Sequence, residues 1–305
     1  MQNHIQARHA FAGTLMVLVS SVAFSSKAIL VKLAYAYHID AASLIALRMA
    51  FSIPFFIGLM LWLRYTSVST KLSRDDVIML VFLGAVAGYG SMWLNFAGLQ
   101  YVTAGLERVI LFLYPTLVVL LSVVLHQHRI TKYEVIALIA SYAGVILVVG
   151  HDLSMPTAAA SHILLGAGLV LGSAIVYALY LVLSGKLIPR LGALLFTAYT
   201  MSIASIASGV HFIATEPISA VMYLPLQVYW LSFVMALVAT VLPSILLNMG
   251  IHRIGSNKAS LVSSVGPVST IFLAWIFLGE SITLLQVVGT ALVLLGVLAI
   301  SLSKK

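Results

Sequence analysis

The chain has 305 residues, of which 62% are hydrophobic and only 8% charged, and its mean hydropathy is +1.13. A soluble domain carries about 25% charged residues, so this chain has too few to dress a water-facing surface, and lipid is the solvent its composition calls for. The net charge of +8 would suggest nucleic acid in a soluble protein; here the charges gather in loops and no nucleic-acid partner is expected. The absence of cysteine excludes disulfides and cysteine-based metal sites. In lipid every backbone group must be bonded internally, which leaves helices or closed barrels. Barrel strands alternate apolar and polar residues over about ten positions, whereas this chain has long apolar runs, so the fold class expected is an all-α polytopic membrane protein.

At about 20 apolar residues per span, ten helices are predicted over 11–33, 42–63, 77–99, 104–125, 133–150, 162–186, 193–214, 227–251, 257–278 and 284–302, the fifth being the shortest. The first run, Phe11 to Leu33, is longer than the ~7–15 residues of a signal-peptide core and is expected to persist as a helix. The longest connections, 64–76, 151–161 and 215–226, hold Arg64, Lys71, Arg74, Asp75 and Asp76, then His151, Asp152 and Pro156, then Glu216, Pro217 and Pro225. No soluble domain is expected between them.

Lysine and arginine in short loops mark the cytoplasmic side. With the N-terminus inside, the inner segments hold Arg8, Arg64, Lys71, Arg74, Arg129, Lys132, Lys186, Arg190, Arg253, Lys304 and Lys305, and the outer connections almost none. Both termini are therefore expected in the cytoplasm, across what reads as a bacterial inner membrane.

The chain also repeats itself. The segment from Gly98 to Gly105 leads to Pro115, and the segment from Gly250 to Asn257 leads to Pro267, at an offset of 152 residues that Gly144 and Gly296 keep. Gly13 and Gly166 align the first and sixth helices at about the same offset. Five helices per copy is an odd number, so the second copy enters the membrane in the opposite sense. Such inverted repeats place substrate near the midplane between the halves and suit alternating access.

These residues resemble the EamA-type members of the drug/metabolite transporter superfamily. The resemblance covers nearly the whole chain as two repeats, 10–150 and 162–302. It is carried by Lys32 late in helix 1, Leu47-Arg48 in helix 2, the Gly98–Gly105 segment with Pro115, and Gly266-Pro267 and Gly279-Glu280 in the second copy. Phe24 stands where the family often has tryptophan, His126-Gln127-His128-Arg129 replaces the first Gly-Glu, and Lys27, Glu107 and Arg108 occupy positions commonly apolar or small. The resemblance implies a ten-helix secondary transporter, often an exporter.

Ionisable groups inside a span are costly and usually face a cavity or a partner. Lys27 and Arg48 lie roughly 9 Å from the outer ends of their helices, and Glu107 and Arg108 about 5–6 Å inside helix 4 from the same side. Four charges from three helices thus share one outer layer, with Lys32 at its rim and Lys258 alone near the inner end of helix 9. Two readings stay open. In one, the layer is a polar vestibule in which four cations outweigh one carboxylate and favour an anionic or zwitterionic substrate, and a proton or substrate competes for the pair that Glu107 makes with Arg48 or Lys27. In the other, Glu107 merely bridges helices, Lys32 snorkels to the headgroups and Lys258 is a cytoplasmic anchor. Arg108, about 100° round the helix from Glu107, must face a different neighbour.

Pro115 and Pro267 sit about eleven residues into helices 4 and 9, near the midplane, where each removes a backbone bond. The freed carbonyls either bind substrate or are satisfied by neighbours; Tyr114, Ser263 and Ser264 lie close enough to add hydrogen bonds, and the second copy further offers Ser256 and Ser260. Gly84-xxx-Gly88 and Gly168-xxx-Gly172 read as packing seams, and Asn95 and Asn248 as cavity liners or interhelical bonds. His126 and His128, two residues apart, do not share a helix face, so no metal site is expected. No Walker A motif, Gly-x-Ser-x-Gly elbow or His-Glu-x-x-His is present. No cofactor and no enzymatic activity are expected. The function expected is a secondary transporter of small metabolites, foremost an exporter of amino acids or other carboxylates. Uptake, and carriage of neutral or cationic compounds, stay open beside it, as does a non-transporting scaffold or intramembrane enzyme from another class.

Overall fold

The computed structural model describes residues 2–66, 72–126, 130–154 and 160–303. Lys71, His128, Arg129, Pro156, Lys304 and Lys305 lie outside the described residues, as do the side chains of Arg8, His126, Ser256 and Ser260. Among the described residues there are ten long helices: α1 (Gln2–Tyr35), α2 (Ala41–Thr66), α3 (Arg74–Leu99), α4 (104–126), α5 (Lys132–Ser154), α6 (Ala160–Ser184), α7 (Ala193–Thr215), α8 (Leu226–Ile254), α9 (256–278) and α10 (Leu284–Ser303), with single helical turns at Ile188–Leu191 and Ser219–Met222 in the connections. Among the described residues nine are long and apolar enough to cross a membrane, and α10 contributes a shorter apolar stretch, Leu284–Ala299. The shortest span is thus α10 and not α5. The fifth helix outruns its apolar stretch because His151 and Asp152, expected in a loop, continue its last turn.

Local chemistry sets the helix ends. Asp40 accepts the Ser43 N–H at 2.8 Å to start α2. Ser73 and Asp76 form a reciprocal capping box for α3, and Thr131 and Glu134 do the same for α5. Gly255 and Gly279 end α8 and α9 with φ of 81° and 68°, a left-handed conformation that costs glycine nothing.

The halves interlock by exchange. Helix α1 packs on α8, and its counterpart α6 packs on α3; α2 packs on α7, and α5 on α10. Glycines make the closest crossings. A Cβ on Gly13 would stand 2.8 Å from Arg253 Cβ, and one on Gly250 would stand 3.0 Å from the Gly13 carbonyl oxygen. The same geometry recurs at Gly166 and Gly98, where each Cβ would stand 3.0 Å from the other's carbonyl oxygen. Gly144 meets the Gly289 carbonyl at 2.5 Å by the same measure, and Gly296 meets that of Ala137 at 2.6 Å. Each contact and its mate are related by the 152- to 153-residue offset, which is what a two-fold relation between the copies produces. Gly84 packs on Ile203 and Thr200, but a Cβ on Gly168 would meet nothing within 4 Å. The Gly168-xxx-Gly172 seam is therefore not a helix crossing: Gly168 faces away from α3, while Gly166 makes the contact.

Two stretches depart from α geometry. Phe82–Tyr89 in α3 and Leu237–Val241 in α8 are π-helical, and the second falls within the first when shifted by the repeat offset. Such bulges concentrate at functional sites. One end of the bundle carries Arg64, Lys186, Arg190 and Arg253 (the basic face); the opposite end carries Asp40, Asp152, Glu216 and Glu280 (the acidic face).

Candidate substrate-binding site

The charged layer predicted from helix depths forms at the acidic-face half of the interior. Lys27 of α1 donates to Asn95 Oδ1 of α3 at 2.7 Å and lies 3.4 Å from Glu107 Oε1 of α4. Asn95 in turn donates from Nδ2 to the same Glu107 oxygen at 2.6 Å. Glu107 is wholly buried, and its second oxygen, Oε2, makes no hydrogen bond among the described residues. Of the two partners open to Glu107 from sequence, the structure selects Lys27.

Arg48 goes elsewhere. Its Nε donates to Thr240 Oγ1 at 2.9 Å, its guanidinium lies 5.4 Å from the centre of the Phe96 ring, and its buried Nη1 has no hydrogen-bond partner. Thr240 belongs to the π-helical stretch of α8, where its hydroxyl also reaches back to the Met235 carbonyl at 3.1 Å. Arg108 points away from Glu107, as the helical angle requires. Its guanidinium lies 5.8 Å from the centre of the Phe112 ring, and its Nε is buried and unpartnered. Gly266 lets it approach α9: a Cβ there would stand 2.5 Å from Arg108 Nη2.

The helices that hold Pro115 and Pro267 break rather than bend. Helix α4 is interrupted after Leu111, and the Thr116 hydroxyl and the Leu117 N–H both bond the Leu113 carbonyl beyond the break, at 2.7 and 3.0 Å. In α9 the break falls at Ser264. Pro267 has no N–H to offer the Ser263 carbonyl four residues earlier, and the Ser21 hydroxyl of α1 donates to that carbonyl at 2.9 Å. The Ser25 hydroxyl donates to the Gly266 carbonyl at 2.8 Å, which the Thr270 hydroxyl also bonds at 3.1 Å. The Ser264 hydroxyl is turned back to the Leu261 carbonyl of its own helix at 2.6 Å. Tyr114 enters an aromatic run, edge-on to Phe112 at 5.8 Å and to Tyr177 at 5.2 Å, with Tyr177 stacked on Tyr180 at 6.0 Å. Lys32 is half-buried and interacts electrostatically with Glu280, while Lys258 is exposed. Among the described residues no three His, Asp or Glu side chains gather as metal ligands.

The EamA-like transporter family model matches residues 11–150 and again 164–302. The chain belongs to the EamA-like transporter family. It is 33% identical over 289 residues to the uncharacterized transporter YcbK of Bacillus subtilis, covering 92% of this chain and 90% of that one. It is 29% identical to the uncharacterized transporter YyaM of the same organism, over 75% of this chain and 74% of the other. A solved structure described as "Crystal structure of protein" superposes with TM-score 0.66 at 17% identity, over 95% of this chain and 96% of that one, a likeness of fold.

For an EamA-like transporter, the interior layer is assembled from both halves. Sequence reading reached Lys27, Arg48, Glu107 and Arg108 because a charge in an apolar run is conspicuous. It did not reach Thr240, Phe96, Ser21 or Ser25. A threonine or serine in a span is commonplace, and only the fold brings Thr240 to Arg48 from a π turn, Ser21 to a proline-freed carbonyl and Ser25 to the Gly266 carbonyl.

Proposed function

We propose that this transporter is a secondary carrier that exports small carboxylate-bearing metabolites, amino acids foremost, by alternating access, from a bacterial inner membrane with both termini in the cytoplasm. One observation carries the reading: three buried atoms of the charged layer, Arg48 Nη1, Arg108 Nε and Glu107 Oε2, have no hydrogen-bond partner among the described residues. A buried polar group without a partner costs about 1–3 kcal/mol, more when charged, so such atoms call for a ligand that completes them. An amino acid offers its carboxylate to the guanidinium groups and its ammonium to the free carboxylate oxygen. The three cations Lys27, Arg48 and Arg108 against Glu107 leave the layer net positive, which favours the carboxylate end. Both orientation and inner-membrane residence rest on the crowding of lysine and arginine at one face, efflux on the family resemblance, and alternation on the exchanged packing of the copies.

A second reading, carriage of cationic compounds, draws on a cleft of about 430 Å³ at the acidic face, lined by Asp40 and Glu216 together with Trp93, Tyr101 and His211. The test for both is counterflow in proteoliposomes with radiolabelled amino acids, organic acids, nucleosides and amines, with and without a proton gradient. Carboxylated compounds are expected to move and to compete with one another. Transport confined to amines or nucleosides would overturn the first reading.

A further inference from the structure

The carboxylate of Glu280, in the connection between α9 and α10, reaches across to the first half. Its Oε1 accepts the Ala104 N–H at 2.8 Å and its Oε2 the Gly105 N–H at 3.1 Å. The first N–H groups of a helix lack partners within it and carry partial positive charge, so the first turn of α4 is satisfied from the other copy. Thr103 Oγ1 takes the Leu106 N–H at 3.1 Å from within the same copy. Gly105 leaves room beside the cap for the Gln286 side chain of α10, whose amide nitrogen a Cβ there would meet. Lys32 adds an opposing charge beside Glu280, and Asp152 a like one. Glu107, held by Lys27 and Asn95, follows Ala104 by three residues, less than one turn.

We propose that Glu280 is a positioning residue that latches the two copies at the acidic face: it holds the first turn of α4, and with it Glu107, while that face is closed, and must release Ala104 and Gly105 for the face to open. The latch rests on the alternating-access reading. The position 152 residues earlier is His128, and histidine has no pair of carboxylate oxygens with which to repeat this latch. At the basic face the copies are tied by Arg190 and Asp76 at 2.6 Å, with the arginine side chain 52% exposed, a pair that water and salt weaken.

Two substrate-free measurements test this on the full-length protein in lipid. Hydrogen exchange of peptides spanning 102–107 and 279–284 reads the contact itself. In wild type the two segments are expected to open together, at rates within about three-fold of each other. Glu280→Gln presents an amide NH2 to one of the two N–H groups, and exchange at Ala104 and Gly105 is expected to rise about ten-fold. The chain has no cysteine, so a single Ala28→Cys reporter, buried beside Lys27, reads opening by labelling with an impermeant maleimide from the acidic side. Labelling is expected to quicken about ten-fold with Glu280→Gln, and Glu280→Asp to fall between. Wild-type segments that exchange more than ten-fold apart overturn the latch even if the variants fail to fold. Raised exchange with unchanged labelling also overturns it and leaves a helix cap only. A wild-type chain that carries no compound of the transport panel sinks the carrier reading instead, independently of both measurements.

Discussion

Removing the amine of Lys27 isolates the buried carboxylate of Glu107. That carboxylate is wholly buried and is neutralised by Lys27 at 3.4 Å and by a 2.6 Å bond from Asn95. Breaking one side of a buried ion pair costs about 3–5 kcal/mol. The Lys27 side chain retains 17% exposure and Asn95 keeps its bond, which puts Lys27→Met at the lower end, about 3 kcal/mol. Replacing both partners removes the uncompensated charge, so Lys27→Met with Glu107→Gln is expected to return to within about 1 kcal/mol of wild type. Adding Glu107→Gln to Lys27→Met is thus expected to restore about 2–3 kcal/mol, a factor of roughly 30–150 in the folding equilibrium, and any cost of Glu107→Gln alone adds to the coupling between the sites. Unfolding of the four proteins of this cycle in detergent, followed by helical circular dichroism, measures it. A single Lys27→Met variant within 1 kcal/mol of wild type, or a double variant no more stable than that single one, would refute the pair as a buried electrostatic unit. The double variant is further expected to fold and yet carry no substrate, which separates architecture from transport.

Three further outcomes are expected. Arg48→Ala should fold and insert yet lose flux at least 100-fold, whereas Thr240→Val, which removes one of the contacts holding Arg48, should lose about ten-fold; lost insertion of Arg48→Ala would make that arginine structural. Glu107→Gln should abolish the response of flux to a proton gradient while substrate exchange persists, and an unchanged pH profile of net flux would remove Glu107 as a proton carrier. Gly98→Ala, whose Cβ would stand 2.7 Å from Val170 Cγ2, should destabilise by about 1–3 kcal/mol, and Gly168→Ala, which meets nothing within 4 Å, should be neutral in the same unfolding assay.

The spans were legible because lipid imposes one rule, an apolar run of helical length, and the apolar runs of this chain seldom break it. Repeat signals were legible for a related reason. Gly98, Gly250, Gly144 and Gly296 stand where two backbones cross, so both copies need the same small residue at the same offset. The site was legible only as to depth: rise per residue put Lys27, Arg48, Glu107 and Arg108 in one layer, but helix rotation decides partners. Glu107 bonds Lys27 because both turn toward Asn95, while Arg48 turns toward α8. Neither π stretch was legible, since an extra residue in a helical turn leaves apolar composition untouched. Glu280 stood in the sequence as half of a Gly-Glu motif, and only the fold reveals that its carboxylate caps α4 of the other copy.

The two copies solve the same packing problem with different chemistry, and the difference bears on mechanism. Shifting Lys27 by 153 residues gives Tyr180, and shifting Arg48 by 152 gives Thr200. These equivalents meet each other, with Tyr180 Oη and Thr200 Oγ1 3.2 Å apart, whereas Lys27 and Arg48 are bonded to other residues. The second copy thus carries hydroxyls where the first carries two cations. A cation held in the middle of a span costs several kcal/mol unless it is paired or reaches water, and a second charged layer in the basic-face half would double that cost. It would also give a substrate carboxylate two competing resting places along one path. On the proposed reading of a carboxylate carrier that works by alternating access, charge in one copy and hydroxyls in the other give the substrate a single electrostatic minimum, and alternation would change which face reaches it rather than move the substrate between two sites.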